Sequence, residues 1–261
     1  PANWPDVLFD LPTFLERAEI RYETLETLRR TSFINADGKL TVTFVTPCNV
    51  EGATINNLTE PVLDKIHRFL RFQQALGWEI AELDAAMTAM QATDLTPVFF
   101  VQVSLIQRLK TALDRPVLEI LSWWSNISTV VDANDPEDRS LYDKLFLNNA
   151  VLSPVDEAFQ LNSTRNDLQN AGTAPLVEHK LVILAALSIT EADLALILST
   201  TGKSEADGVT LALLSELYRY TSLAKALGLA AVEFLSLQKL TGIDPFKNPN
   251  TTLDFVAEVE T

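Results

Sequence analysis

The tetrad Thr201-Gly202-Lys203-Ser204 has the residue types that end a phosphate-binding loop, in which backbone amides cradle phosphates and the lysine reaches the terminal group. Such a loop needs another glycine five positions before the Gly-Lys pair and a strand leading in. Ile197 occupies that position inside a helical pattern, so Gly202 is read as the residue that stops a helix. Asp132, Asn134, Asp135 and Asp138 offer the oxygen ligands that calcium takes, but the glycine of a calcium loop is missing and Pro136 stands in the middle. Their reading is an acidic helix start, where the dipole favours negative charge. His67 and His179 fall on separate helices and outside any H-x-x-x-H or H-E-x-x-H pair. Cys48 is the only cysteine, which excludes an internal disulfide and a thiolate-rich metal site. No G-x-S-x-G elbow occurs. Carboxylates are plentiful, and chemistry by a facing pair of them stays open. Asn57-Leu58-Thr59 and Asn162-Ser163-Thr164 have the form of glycosylation sites, a triplet that also arises by chance. No catalytic, cofactor or metal residue is assigned, and no enzyme is expected. The candidate interface residues are Trp123 and Trp124. Adjacent helical side chains point about 100° apart, so one faces the core while its neighbour is partly covered, or the pair meets another domain or subunit.

The elements that would position these residues are helices. With 47% hydrophobic and 21% charged residues, the 261-residue chain can bury a substantial core. A net charge of −15 argues against nucleic acid and against attraction to an anionic membrane surface. No apolar run reaches the roughly 18 residues of a membrane-spanning helix. The chain opens on Pro1 with no initiator methionine or signal-like segment, which suggests a piece of a longer polypeptide.

The clearest helical stretch is Leu63 to Met90. Leu63, Ile66, Phe69, Leu70 and Leu76 recur at spacings of three and four, Gly77 ends the helix, and a second begins near Glu79 with Ile80, Leu83, Met87 and Met90 as its stripe. Shorter helices are expected from Pro12 and over Tyr22 to Thr31. The period changes to two between Phe33 and Phe44 around Asp37-Gly38, which predicts a small β-hairpin near residues 33–45. Thr59 ahead of Pro61 reads as a helix cap. Pro97 opens a helix to about Leu113, and Asp114-Arg115 turns the chain into Pro116 and VLEILSWW. Further on, Leu176 to Leu187 pairs with Thr190 to Thr200, where Thr190 and Asp193 suit a helix start. Thr210 to Leu227 then pairs with Ala230 to Thr241 across Gly228, and a last helix follows in the tail.

The two glycine bends repeat one another. An offset of 151 residues lays Leu63 on Leu214, Arg68 on Arg219, Ala75-Leu76-Gly77 on Ala226-Leu227-Gly228 and Glu82 on Glu233. Looser copies have irregular spacing, so a solenoid of fixed period is not predicted. The expected fold is mainly α: stacked helical hairpins in an irregular domain. Its parts are 1–145 with the central hairpin 60–90, an irregular insertion or connector 146–175 rich in Asn, Ser, Thr and Pro, and C-terminal hairpins over 176–261.

Three runs carry a family resemblance: CNVEGATINNLTEPVLDKIHRFLRFQQALGWEIAELDAAM (Cys48 to Met87), FLNNAVLSPVDEAF (Phe146 to Phe159) and LSELYRYTSLAKALGLAAVEFLSLQKLTGIDPF (Leu214 to Phe246). They resemble, in the same order, segments of the A subunit of bacterial insecticidal toxin complexes (TcA). In that family five copies assemble around a central channel enclosed by an α-helical shell, which opens after receptor binding and a pH change so that the channel delivers a toxic enzyme into the host cell. The resemblance implies a non-catalytic section of the shell in a secreted or cell-surface toxin complex, without cofactor. The implied partners are other segments and copies of the subunit, a homopentamer in full, with no nucleic acid and no direct membrane insertion by this part. The acidic balance leads to the further expectation that self-repulsion between subunits aids opening. The alternative is a generic helical scaffold that binds a protein partner in an apolar groove. An enzyme ranks third.

Overall fold

Thirteen α-helices and one two-stranded antiparallel sheet make up the regular structure of the computed structural model, which describes residues 7–47, 49–131, 135, 137–150 and 152–259. The expected fold class is the one observed. Two compact units divide the chain between Phe99 and Phe100, and residues 146–175 belong to the second unit.

In the first unit, α1 (Leu11–Ala18) starts at Asp10, whose carboxylate accepts from the Thr13 backbone N–H at 3.1 Å, and Pro12 sits in its first turn. Helix α2 (Tyr22–Arg29) buries Leu25 and Leu28. Next comes a helical turn, α3 (Ser32–Asn35), in the place where the period of two predicted a strand. Phe33 and Ile34 are both buried, which a strand with alternating faces cannot achieve on one side. The Asn35 side chain then stands in for a strand partner: its Oδ1 accepts from Leu40 N at 2.8 Å and its Nδ2 donates to Leu40 O at 3.2 Å. Strand β1 (Thr41–Thr43) lies within the expected stretch. Its partner is the later β2 (Thr54–Asn56), paired Thr41 with Asn56, Val42 with Ile55 and Thr43 with Thr54.

Helix α4 (Glu60–Leu76) follows Thr59 in the cap position, although the Thr59 hydroxyl makes no capping bond. It ends at Gly77 in the left-handed region, φ 66°, and buried Trp78 leads into α5 (Ile80–Ala89). Glu79 at the cap is not a preferred type, and the opening is fixed instead by Glu82, whose carboxylate accepts from Glu79 N at 2.9 Å.

In the second unit, α6 (Pro97–Leu113), which begins in the first, ends at the bounds the sequence suggests, and Asp114 takes a positive φ of 50° before α7 (Val117–Leu121). Of the acidic loop, residues 132–134 and 136 lie outside the described residues. The helix after it, α8 (Leu141–Phe146), begins later than Asp135: Ser140 Oγ accepts from Asp143 N at 3.1 Å and the Asp143 carboxylate accepts in return from Ser140 N at 3.1 Å. Among the described residues of 147–175 the one helical segment is a 3-10 turn at Glu157–Phe159, yet this stretch contributes Phe159 and Leu168 to the core.

A 3-10 turn (Leu176–His179) leads into α9 (Lys180–Leu187), then α10 (Glu191–Thr201) with the reciprocal Thr190–Asp193 cap, α11 (Leu211–Ala226), α12 (Ala231–Thr241) and α13 (Pro249–Val259). Helix α11 is the centre of this unit: ten of its sixteen residues are buried, among them Leu214 and Leu217. The pairs are corners rather than antiparallel hairpins. The chain turns 108° from Leu176–Leu187 to Glu191–Thr201, through Ser188 at a positive φ of 50°, and 92° from α11 to α12, through Gly228; both lie in the range of helices joined by a short turn.

Candidate functional site

In the first unit a groove of about 420 Å³ runs over Phe33 and Met87. Asp84 of α5 holds α3 against it, accepting from Ser32 N at 3.1 Å, Ser32 Oγ at 3.1 Å and Phe33 N at 3.2 Å. This is a charge-assisted cap delivered from another helix, and it fixes the position of Phe33. From α4, Lys65 donates to the Phe33 carbonyl at 3.0 Å while its ammonium lies 5.0 Å from the centre of the Phe33 ring. The neighbouring charges are otherwise engaged: Arg68 binds Asp64 and Asp94 at 2.8 Å each, and it holds the Asp94 carboxyl below the usual carboxylate range. Ala36, Thr88, Gln91, Ala92 and Thr93 complete the rim.

The second unit places both candidate interface residues in the turn that follows α7, beside α11. Trp123 is wholly buried, and its indole N–H donates to Ser222 Oγ at 3.0 Å. It is a core residue, which removes it from the candidate interface. Trp124 packs edge-on against it at 6.0 Å and is partly covered, so the contact reading rests on Trp124 alone. Ser215 ties the same region to α11 by accepting from Ile127 N at 2.9 Å. Glu119 on α7 faces Arg115 and Lys225; burial raises the Glu119 carboxyl and lowers the Lys225 ammonium. Lys225 reaches the Leu187 carbonyl at 2.5 Å, capping the end of α9.

Two further polar pairs pin the irregular segment. Arg165, at a positive φ of 55°, binds Asp143 at 2.6 Å and donates to the Thr129 carbonyl at 2.8 Å. His179 lies 2.5 Å from Asp156 and edge-on to Phe159. Both tie loop backbone to helix starts.

Gly202 closes α10 at φ 71° and Ile197 is buried inside that helix, so Thr201 to Ser204 form a helix end. His67 is exposed on α4 in the first unit, and His179 is half-buried in the second. Asn57 takes a positive φ of 60° and its side chain donates to the Lys39 carbonyl at 2.8 Å. Cys48 lies outside the described residues. Among the described residues no three His, Cys, Asp or Glu side chains are grouped to hold a metal ion. Among them no single helix is long and apolar enough to cross a membrane. The two bent pairs with that composition, 176–201 and 211–241, keep much of their apolar surface, including Ile183, Leu194, Ile197 and Leu214, in the core. The groove residues were not singled out from sequence: Phe33, Lys65 and Met87 stand on three elements, and no spacing links them. Comparison with protein-family models and with curated proteins finds no match to this chain.

Proposed function

We propose that this chain is a non-catalytic section of the α-helical shell of a TcA-type toxin subunit, the layer enclosing the channel through which a toxic enzyme reaches the host cell. The observation that carries the reading is a helix pair joined at a left-handed glycine, which occurs twice. Two of the three runs that resemble the family cover most of α4–α5 and α11–α12, and each pair turns at a left-handed glycine and starts its second helix with a glutamate three residues past the cap. A casing needs such stiff, repeated helix pairs and no active site. In this reading the chain works in a secreted homopentamer and touches other segments and copies of the same subunit, but neither nucleic acid nor the membrane core.

A second reading, a helical scaffold for a protein partner, is favoured by apolar side chains left in solvent: Val98 and Val101 on α6, and Leu240 on α12, which is 82% exposed. Extending the gene sequence on both sides separates the two. The shell reading expects continuation into receptor-binding and channel segments and a five-fold assembly in electron micrographs of the complete product. A complete product lacking those segments, or one that stays monomeric, contradicts it.

A further inference from the structure

The groove of the first unit has the composition of a small-ligand site: an aromatic and thioether floor, one cation in its wall, and hydroxyl and amide groups at its rim. Lys65 makes one hydrogen bond, to the Phe33 carbonyl, and among the described residues it forms no ion pair within 4 Å, although its charge acts on the Asp94 carboxylate from further off. An ammonium carries three donors, so two are left for an acceptor. That is notable in a chain with 35 acidic residues to 20 basic ones, where counter-ions are abundant. The two carboxylates nearest the groove are committed, Asp84 to the start of α3 and Asp94 to Arg68. The wall therefore offers an anion a fixed cation beside a buried apolar floor, where the same charge is worth more than in open water.

We infer that this groove binds a small amphipathic carboxylate, with its apolar end on Phe33 and Met87 and its carboxylate on Lys65, and with Ser32, Thr88 and Gln91 at the rim. A volume of about 420 Å³ accommodates a single aryl or short alkyl acid. The inference is independent of the shell reading, since it depends only on the geometry of the first unit.

The chain contains two methionines, and they separate the site from its surroundings: Met87 floors the groove, and Met90 is not among its lining residues. With [13C-methyl]methionine in the whole 261-residue chain, 3-phenylpropionate is expected to shift the Met87 methyl signal saturably, with a dissociation constant on the order of 1 mM for a ligand of this size, and to leave Met90 unmoved. The neutral 3-phenylpropionamide should bind at least about tenfold more weakly, as should the acid to Lys65→Met, because each comparison removes one charge of the pair. The comparison of acid with amide on the unaltered chain stands whether or not the variant folds. No Met87 shift, equal binding of acid and amide, or undiminished binding by a folded Lys65→Met chain would each overturn the assignment.

Discussion

The helix junction at Gly77 and the helix junction at Gly228 share one local design and differ in depth. In both, glycine closes the first helix with a positive φ, 66° and 69°, and in both a glutamate three residues past the cap accepts the cap N–H at 2.9 Å, Glu82 from Glu79 and Glu233 from Ala230. Yet α4 buries only Ile66 and Phe69 of its seventeen residues, whereas α11 buries ten of sixteen. The matched arginines show the contrast within one residue type. Arg68 is more than a third exposed and has two aspartate partners; Arg219 is held among α11 and its neighbours, with its Nε unpartnered and its Nη2 3.4 Å from the Ser125 carbonyl, and burial lowers its pKa. Local residues decide where the chain bends. Depth is decided by how many other elements pack around the helix, which the bend does not encode.

The largest effect expected from this contrast is at a matched leucine pair. Leu214→Ala opens a cavity in a fully buried site and should cost about 3–5 kcal/mol, while Leu63→Ala, on the half-buried side of α4, should cost about 1 kcal/mol, both read from urea denaturation of the whole chain. Equal losses would remove the distinction in depth. Ser222→Ala comes next, because it leaves the buried Trp123 indole N–H without an acceptor; about 1–3 kcal/mol is expected, with a change in tryptophan fluorescence. Its counterpart Arg71, exposed on α4, should tolerate alanine within about 0.5 kcal/mol.

The shared part of the design is tested by substituting the two glycines. A Cβ at Gly77 or Gly228 would meet nothing within 4 Å, so alanine there feels only the left-handed backbone, and each substitution should cost about 1–2 kcal/mol. A clear inequality would mean that the bends are not equivalent. The smallest effects concern the arginines and differ in sign. Arg68→Met should lose less than about 1 kcal/mol, as exposed ion pairs do. Arg219→Met removes a half-buried cation with an unpartnered donor and should be neutral or stabilising by up to about 1 kcal/mol.

The features visible in the sequence are those written in adjacent residues. Gly77, Gly202 and Gly228 end helices where glycine predicts it, Pro97 and Leu113 bound α6, and Thr190 with Asp193 caps α10. The partner of β1 was not visible, because Asn35 closes that turn through its side chain and the pairing strand lies across a loop at Thr54–Asn56. The late start of α8 was masked by the run of acidic residues before Ser140, which resembles a helix start by charge while the reciprocal Ser140–Asp143 bonds form the real one. Which tryptophan faces the core was left open at Trp123-Trp124, since it depends on Ser222, which lies 99 residues further on. The groove depends on Phe33, Lys65 and Met87 meeting in space, and no periodicity carries that information.

Amide hydrogen exchange on the 261-residue chain compares the two junctions most directly, because opening free energy follows the packing around each helix. One design at two depths predicts that the amides of α11 around Leu214 to Ser222 exchange only through global unfolding, while those of α4 around Leu63 to Arg71 exchange through easier local opening. Equal protection in the two helices, or greater protection in α4, would contradict it.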